Sequence, residues 1–392
     1  IRTLPPKHIL FLTSWYPTRL VPDLGTFVQS HANAAAGKNI VSVVFAVSDP
    51  GLAEGQQEIV QKQKGNLFEV IIFYGKIRSG IFGSWKKLRT YQKAMAEGIR
   101  IAADKNGKPA LLHLHVIWPA AVATLLFLRK NKVPLVITEH WSGYLPEDGN
   151  YKGYFLKRTT RAIVRQASII TVVSGQMMSA MKRHGLGKNF IALPNAVDIN
   201  LFAPLPVKRH NTSIRLLHVS VLIDREKNIT GLLHVMKELS RQEDITLDII
   251  GDSPERPAHE SFAKSLDILN KTVFFRGFQK PAEIPLAMQQ ADALVMFSNY
   301  EGMPMTIIEA QSCGLPVIAT KVGAIAEMVN KSQGILVSPG KESELKEAIL
   351  AFAEKRAFFS PGKIRDHAVQ TYSFDAVSEK LENIYSSVLH AH

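Results

Sequence analysis

The stretch that most narrows what this chain can fold into runs from residue 293 to 324. It opens with a short apolar run, Ala293-Leu294-Val295-Met296-Phe297, which predicts a buried strand. A loop carrying Glu301 and Gly302 follows. Pro304 suits the first turn of a helix, where its missing N–H costs nothing. Ile307, Ile308, Glu309 and Ala310 continue that helix until Gly314 and Pro316 stop it. Leu315 to Ala319 predicts a second buried strand. Strand, loop, helix and strand in succession make a unit of an α/β sheet.

The physics of such a unit favours an anionic ligand. A helix N-terminus presents unpaired N–H groups and a partial positive charge, so it seats phosphate well. Ligands of open α/β sheets lie beyond the carboxyl ends of the strands. A carboxylate there repels phosphate but suits hydroxyl groups, as on a sugar or ribose. Glu301 and Glu309 therefore read as hydroxyl clamps flanking a diphosphate seat, against the plainer reading of two solvated acids.

Glu301 and Glu309 with seven residues between them, Gly302 and Pro304 inside, then Gly314-Leu315-Pro316-Val317-Ile318-Ala319-Thr320 and Gly323-Ala324-Ile325-Ala326-Glu327, resemble the signature of glycosyltransferase family 4. The resemblance implies a retaining, nucleotide-sugar-dependent enzyme of the GT-B fold: α/β, with two Rossmann-like doubly wound parallel-sheet domains facing a cleft.

Length and composition fit that expectation. A chain of 392 residues suggests two domains, and 46% hydrophobic with 21% charged residues is ordinary for a globular protein. Cys313 is the one cysteine, which excludes an intramolecular disulfide and points to a reducing, cytoplasmic setting. Its small neighbours mark it as packing rather than nucleophile. No apolar run is long enough for a membrane span, and the N-terminal residues show no signal-peptide pattern. The charge is uneven. Residues 1–200 hold 26 Lys and Arg against 11 Asp and Glu, whereas residues 201–392 hold 21 against 23. The basic surplus sits in the first half and implies an acidic partner or an anionic leaflet there.

In that half, residues 7–13 form an apolar run suited to a buried parallel strand, followed by a Pro- and Gly-punctuated loop and a helical pattern from 27 to 36. No GxGxxG follows, which argues against a dinucleotide fingerprint. The family carries a glycine loop at this place that approaches the donor phosphates. Gly25 and Thr26 are the matching residues, with one glycine where two are common. Further strands over 40–47, 68–74, 111–116, 135–138 and 168–173 alternate with helical stretches, as in βαβ units. Thr138-Glu139-His140 resembles the element bearing the family's acceptor-side histidine, so the resemblance gives His140 a catalytic role beside the reacting carbon. His115 is at best a supporting residue.

Two segments concentrate the charge. Residues 76–93 mix Lys86, Lys87, Arg89 and Lys93 with Phe82, Trp85 and Tyr91. Residues 154–165 place Lys157, Arg158, Arg161 and Arg165 at roughly helical spacing beside Phe155, Leu156, Ile163 and Val164. Basic and aromatic residues interleaved on an amphipathic helix suit an anionic membrane or acceptor face. Nucleic acid would accept the same pattern but is not expected, and a solvated helix face is the plain alternative.

Leu193-Pro194-Asn195-Ala196-Val197-Asp198 resembles the element that ends the family's first domain. The expected domains are 1–203 for the acceptor, 204–372 for the nucleotide sugar, and a helix over 373–392 crossing back to the first, with residues 202–208 as linker. The second domain opens with a strand at 214–219. There the family supplies an arginine and then a lysine for the leaving diphosphate. Lys227 matches the lysine, while Val221 or Leu222 stands where the arginine is expected, leaving Arg225 as a candidate substitute. Gly251-Asp252-Ser253-Pro254 resembles the family's Gly-Asp-Gly-Pro turn, with serine at the second glycine. Gly277 and Phe278 match the loop whose backbone meets the base in relatives.

The resemblance thus implies a donor seat made by Gly25, Thr26, Arg225, Lys227, Gly277, Phe278, Glu301, Gly302, Met303, Pro304, Met305, Thr306 and Glu309. His140, Glu301 and Lys227 are the expected catalytic residues. The donor would be UDP- or GDP-linked, and the acceptor a hydroxyl on a glycan or lipid-linked cell-envelope precursor. By the same resemblance the departing phosphate would take the acceptor proton, so no enzyme nucleophile would be needed. No D-x-D, HExxH or Cys/His cluster occurs, and no metal or other cofactor is expected. The alternatives are a GT-B epimerase or phosphorylase-like enzyme using the same seat, and a non-catalytic module binding anionic membrane or nucleic acid.

Overall fold

The computed structural model describes residues 6–77, 83–205, 213–241 and 244–391. The chain divides into two compact units, Ile1–Ala196 with Phe374–His392, and Val197–Ser373. The boundary precedes the expected 203/204, because residues 197–205 belong with the second unit. Phe202 is buried in that unit's core, and its carbonyl accepts from Arg365 at 3.0 Å. Of the expected linker, residues 206–208 lie outside the described residues, as does Phe82.

The first unit runs β1 (His8–Thr13), α1 (Thr26–Ala36), β2 (Ile40–Asp49), β3 (Gln57–Lys64), β4 (Leu67–Gly75), α2 (Gly83–Asn106), β5 (Leu111–His115), α3 (Ile117–Lys130), β6 (Leu135–Glu139), α4 (Tyr154–Val164), β7 (Ile169–Val172), α5 (Gly175–Arg183) and β8 (Phe190–Ala192). Its sheet has the order β3-β4-β2-β1-β5-β6-β7-β8, parallel except where β3 pairs antiparallel to β4. Every residue of β1, β5 and β6 is buried, as expected of parallel strands covered on both faces. Leu10 and Leu12 pack under α2, α3, α4 and α5, while Ile9 and Phe11 pack under α1 and the last helix.

The second unit runs β9 (Ile214–Val219), α6 (Asp224–Lys227), α7 (Ile229–Leu239), β10 (Ile245–Ile250), α8 (Arg256–Ser265), β11 (Val273–Gly277), α9 (Ile284–Gln290), β12 (Ala293–Met296), α10 (Met305–Ser312), β13 (Val317–Thr320), α11 (Ile325–Met328), β14 (Gly334–Val337), α12 (Glu342–Lys355) and α13 (Pro361–Tyr372). Its six strands are all parallel, in the order β11-β10-β9-β12-β13-β14. The last helix, α14 (Phe374–His390), is part of the first unit, where Val377, Leu381, Ile384, Tyr385 and Val388 are buried.

Each sheet reverses its direction of growth once, between β1 and β5 in the first unit and between β9 and β12 in the second. Loops diverge at such a point and leave a crevice beyond the carboxyl ends of the two strands, where α/β sheets bind ligands.

Candidate active site

In the second unit, the loops after β9 and β12 flank the switch point and are joined. The Asn299 amide donates to the Glu226 carbonyl at 2.8 Å, and Asn299 Nδ2 to the Arg225 carbonyl at 3.1 Å. The Tyr300 hydroxyl donates to Glu226 at 3.2 Å. Behind α6, Asn228 in the left-handed region caps α7 through the Gly231 amide, and Asp224 accepts from the Thr230 amide at 2.7 Å. These bonds fix the backbone that carries Lys227.

Lys227 Nζ lies 2.7 Å from Glu301 Oε1, with both side chains largely buried. The Ser298 hydroxyl donates to the same oxygen at 2.7 Å, and the Ser298 carbonyl in turn accepts from Thr320 at 2.7 Å. The other carboxylate oxygen, Oε2, makes no hydrogen bond among the described residues. Lys227 spends one of its three donors on Glu301, so the pair can still give protons to a phosphate and accept a hydroxyl proton. Beneath it, buried His218 bonds to Ser220 at 2.7 Å and to the Val295 carbonyl at 2.9 Å. Burial, with the Val295 bond opposing and the nearby Lys227 charge adding, pushes His218 down to about 4, which keeps it neutral.

Residues 301–304 lead into α10. Pro304 is the residue before this helix rather than part of its first turn, with φ −67° and ψ 121°, and no side chain caps the amides that follow. The helix ends at Ser312, and Gly314 takes the left-handed conformation just beyond it. Gly323 packs its Cα against this loop, where a Cβ would lie 2.0 Å from the Glu301 carbonyl oxygen. The Ala324 amide then donates to the Gly302 carbonyl at 2.9 Å. Glu309 is half-buried on α10 and its carboxylate has no hydrogen-bond partner among the described residues. Desolvation raises it to about 7. Burial lifts the Cys313 thiol to about 12, with Glu309 adding to the effect, so it is no nucleophile.

The remaining expected donor residues divide. Arg225 is exposed, with its guanidinium 5.9 Å from the Tyr300 ring centre, and Val221 is exposed in the loop between β9 and α6 while Leu222 is buried. Met303 is half-buried against the core, and the Thr306 hydroxyl points at the Met296 sulfur at 3.4 Å. Gly277 closes β11 with φ 71° and accepts from the Gly251 amide at 2.9 Å, leaving Phe278 exposed beside it. Gly25, in the first unit, precedes α1 at φ 72°, where a Cβ would meet the Trp15 carbonyl at 2.6 Å; Thr26 begins the helix. The glycine is thus demanded by packing against the chain's own backbone.

At the switch point of the first unit stands a group of histidines. His140 follows β6, buried, and its Nε2 is 3.3 Å from Nδ1 of His115 at the end of β5. Phe27 stacks on His140 with ring centres 4.4 Å apart. His31, from α1, sends Nε2 to the Pro194 carbonyl at 2.9 Å. The Glu139 carboxylate beside them accepts from the amides of Ile117, His140 and Trp141 and from the Tyr144 hydroxyl, at 2.8 to 3.2 Å. Val116, between β5 and α3, holds φ at 53°, a strained value for a β-branched residue. Desolvation, with the other rings adding, lowers His115 and His140 well below the imidazole range and His31 to about 4, its bond to Pro194 opposing. His115 is therefore a direct neighbour of His140. Nothing in the sequence assigned a role to His31, Ser298 or His218, and Thr320 stood out only as part of the signature stretch, because each reaches its group only through the fold.

The basic segments are placed by α2 and α4. Trp85 is 57% exposed under the Arg89 guanidinium, which sits 3.9 Å from its ring, and Lys86 pairs with Glu54. Tyr154 and Phe155 are 78% and 50% exposed at the start of α4, with Phe155 edge-on to Trp118. Lys87, Arg158 and Arg161 are exposed, whereas Lys157 is half-buried near the Tyr151 ring. The helices α2, α3 and α4 contribute to the core on one face of the sheet. No helix among the described residues is long and apolar enough to cross a membrane.

Comparison with known proteins bears on both units. Residues 207–369 match the model of "Glycosyl transferases group 1", and residues 24–201 that of "Glycosyltransferase Family 4". The chain is 24% identical over 385 residues to a putative teichuronic acid biosynthesis glycosyltransferase of Bacillus subtilis, covering 94% of this chain and 95% of that protein. It is 23% identical over 320 residues to the N-acetyl-alpha-D-glucosaminyl L-malate synthase of Bacillus anthracis, covering 76% of this chain and 80% of that protein. Among solved structures, a sucrose-phosphate synthase from Thermosynechococcus elongatus superposes with a TM-score of 0.76 at 19% identity, covering 98% and 100% of the two chains. Anabaena HepE, solved with UDP and glucose, superposes with a TM-score of 0.71 at 20% identity, covering 97% and 100%. The two family models together cover most of the chain and the switch-point loops carry the signature residues, so this chain belongs to glycosyltransferase family 4 and is a glycosyltransferase of the GT-B fold.

Proposed function

We propose that this enzyme is a retaining transferase that moves a sugar from a UDP- or GDP-linked donor to a hydroxyl of a glycan or lipid-linked cell-envelope precursor. The observation that carries the reading is the Lys227–Glu301 pair at the switch point of the second unit, ahead of an uncapped helix N-terminus. On this reading the donor diphosphate takes charge from Lys227 and from the first amides of α10. Glu301 Oε2 accepts from a donor-sugar hydroxyl, and Glu309 accepts from the ribose. Charge builds on the departing phosphate as the glycosidic bond breaks, so preorganised positive groups supply most of the acceleration. The acceptor attacks from the same face, and its proton passes to the leaving phosphate. No metal is assigned a step in this transfer.

HepE was solved with UDP and glucose, and a teichuronic acid enzyme is among the relatives, which supports a nucleotide-sugar donor and an envelope acceptor. His140 is assigned to the acceptor side, with His115 holding it. The exposed Trp85, Tyr154 and Phe155 among Lys87, Arg158 and Arg161 suit a lipid-linked acceptor at the cytoplasmic face of an anionic membrane. The test is turnover with UDP- and GDP-sugars against membrane-extracted acceptors, with the anomeric configuration of the product read by NMR. Sugar transfer with retained configuration is expected. Isomerised donor without transfer, or a requirement for inorganic phosphate, would favour an epimerase or a phosphorylase-like enzyme. Co-sedimentation with phosphatidylglycerol vesicles, lost on Arg158→Glu with Arg161→Glu, tests the membrane face; no sedimentation by the unaltered protein would reject it.

A further inference from the structure

We propose that the free edge of β14 is a docking site for an extended, acidic segment of a partner protein, which joins the second unit's sheet as an added strand. β14 stands last in the order β11-β10-β9-β12-β13-β14, so only one of its edges is paired. Such an edge is a template for another chain unless proline, repelling charge or a covering element blunts it.

The backbone is set out for this addition. The Gln333 carbonyl accepts from the Val317 amide at 3.0 Å and the Val337 carbonyl from the Lys321 amide at 2.9 Å, so residues 333, 335 and 337 face β13. Residues 334 and 336 therefore turn their peptide groups outward. The outward amides at either end are already used. Gly334 donates to the Asn330 carbonyl at 3.1 Å, and Ser338 to the Glu344 carboxylate at 2.7 Å. Between them, the Leu336 amide and carbonyl have no hydrogen-bond partner among the described residues. An extended chain can exchange both bonds with that one residue, and main-chain bonds of this kind give strand addition its affinity.

The side chains around the edge define the occupant. The edge lies in a groove of about 640 Å³, room for several side chains of an added strand. One wall includes Val329, in the core under Leu336, and the other Phe359, in the core under Ile335, so the groove has an apolar side on each face of the sheet. Phe358 stands at its rim, 71% exposed. The ionisable residues lining it are Lys321, Lys331 and Lys355, all exposed, with no Asp or Glu among the described lining residues. A second copy of this chain would bring the same lysines against these, so self-pairing is opposed and an acidic strand is favoured. A lipid surface engages protruding apolar side chains rather than a strand edge sunk between two walls. This docking is independent of the transferase reading, and its test does not use turnover.

The experiment titrates the full-length protein with fluorescein-labelled, end-blocked heptapeptides in which valine or leucine alternates with glutamate, and with matched peptides carrying lysine instead of glutamate. The acidic peptides should saturate the protein below about 1 mM. Their binding should weaken as salt is raised, and they should slow hydrogen exchange of the amides of residues 334–337. Lys331→Glu with Lys355→Glu should weaken them at least about fivefold, because it turns attraction into repulsion. If that variant fails to fold, the contrast between acidic and lysine peptides on the unaltered chain, read with the exchange data, decides. No saturation by any acidic peptide, equal binding of the lysine peptides, equal binding by the folded double variant, or slowed exchange confined to other residues overturns the proposal. So does slowed exchange of the same amides without peptide, in a dimer of the unaltered chain or on phosphatidylglycerol vesicles.

Discussion

Lys227 and Glu301 illustrate how a site residue is coupled to stability. Removing one partner of a buried ion pair strands the other and costs roughly 3–5 kcal/mol, whereas replacing both by neutral groups of similar volume is often harmless. Lys227→Met should therefore lower the melting temperature markedly. Adding Glu301→Gln should recover much of that loss, and thermal melts of the cycle will show it. Turnover should stay lost in the double variant, since neither charge remains for the donor. Glu309 makes a second residue-scale prediction. Its folded-state value of about 7 lies above the ordinary 4.5, so between these values the folded chain holds more protons than the unfolded one. Its contribution to stability therefore falls as pH rises through that window, and Glu309→Gln should remove that part of the pH dependence in urea melts. Two ribose hydroxyls would favour the charged carboxylate, so nucleotide binding should tighten as pH rises towards 7, by up to about tenfold per unit, with proton release seen by calorimetry. These acids and the lysine were legible in the sequence because their spacing repeats a family signature. The ion pair between them was not, since 74 residues separate the partners.

At the scale of elements, the buried parallel strands were the most legible, because a strand covered on both faces is a continuous apolar run. The expected 214–219 and the observed β9 coincide, and β1, β2 and β4 differ from expectation only at their ends. No strand was expected at 57–64. There β3 is an edge strand with a solvated face, and its Gln- and Lys-rich sequence carries little apolar signal. Pro304 was expected inside the first turn of α10, but its extended ψ makes it the residue that aims the chain into the helix. The 301–304 loop is held by Gly323, so Gly323→Ala should push the loop off its seat. The left-handed φ of 54° adds strain, and the Glu301 carbonyl leaves no room for a methyl. We expect a nucleotide dissociation constant raised at least about tenfold, or about 1.4 kcal/mol, by calorimetry. An unchanged constant would mean the loop does not shape the donor seat.

For the whole molecule, the division into two α/β units follows from two sets of alternating strands and helices, and the family element at 193–198 marks where the first ends. The helix over 374–390 is last in sequence but belongs to the first unit, where the Tyr385 hydroxyl meets His113 Nδ1 at 2.7 Å. Its five buried apolar side chains contribute on the order of 10 kcal/mol, comparable to the whole stability of a domain. Deleting residues 374–392 should therefore unfold the first unit and leave the second able to bind nucleotide, as two-probe thermal melts would show. A truncated chain with both transitions intact would contradict that assignment. The measurement that bears most directly on the donor seat is calorimetric titration of the unaltered protein and of Glu309→Gln with UDP and GDP. The account predicts that one nucleotide binds the unaltered protein and that the variant binds it at least about tenfold more weakly. No binding of either nucleotide, or equal affinity in the two proteins, would contradict a ribose held by Glu309.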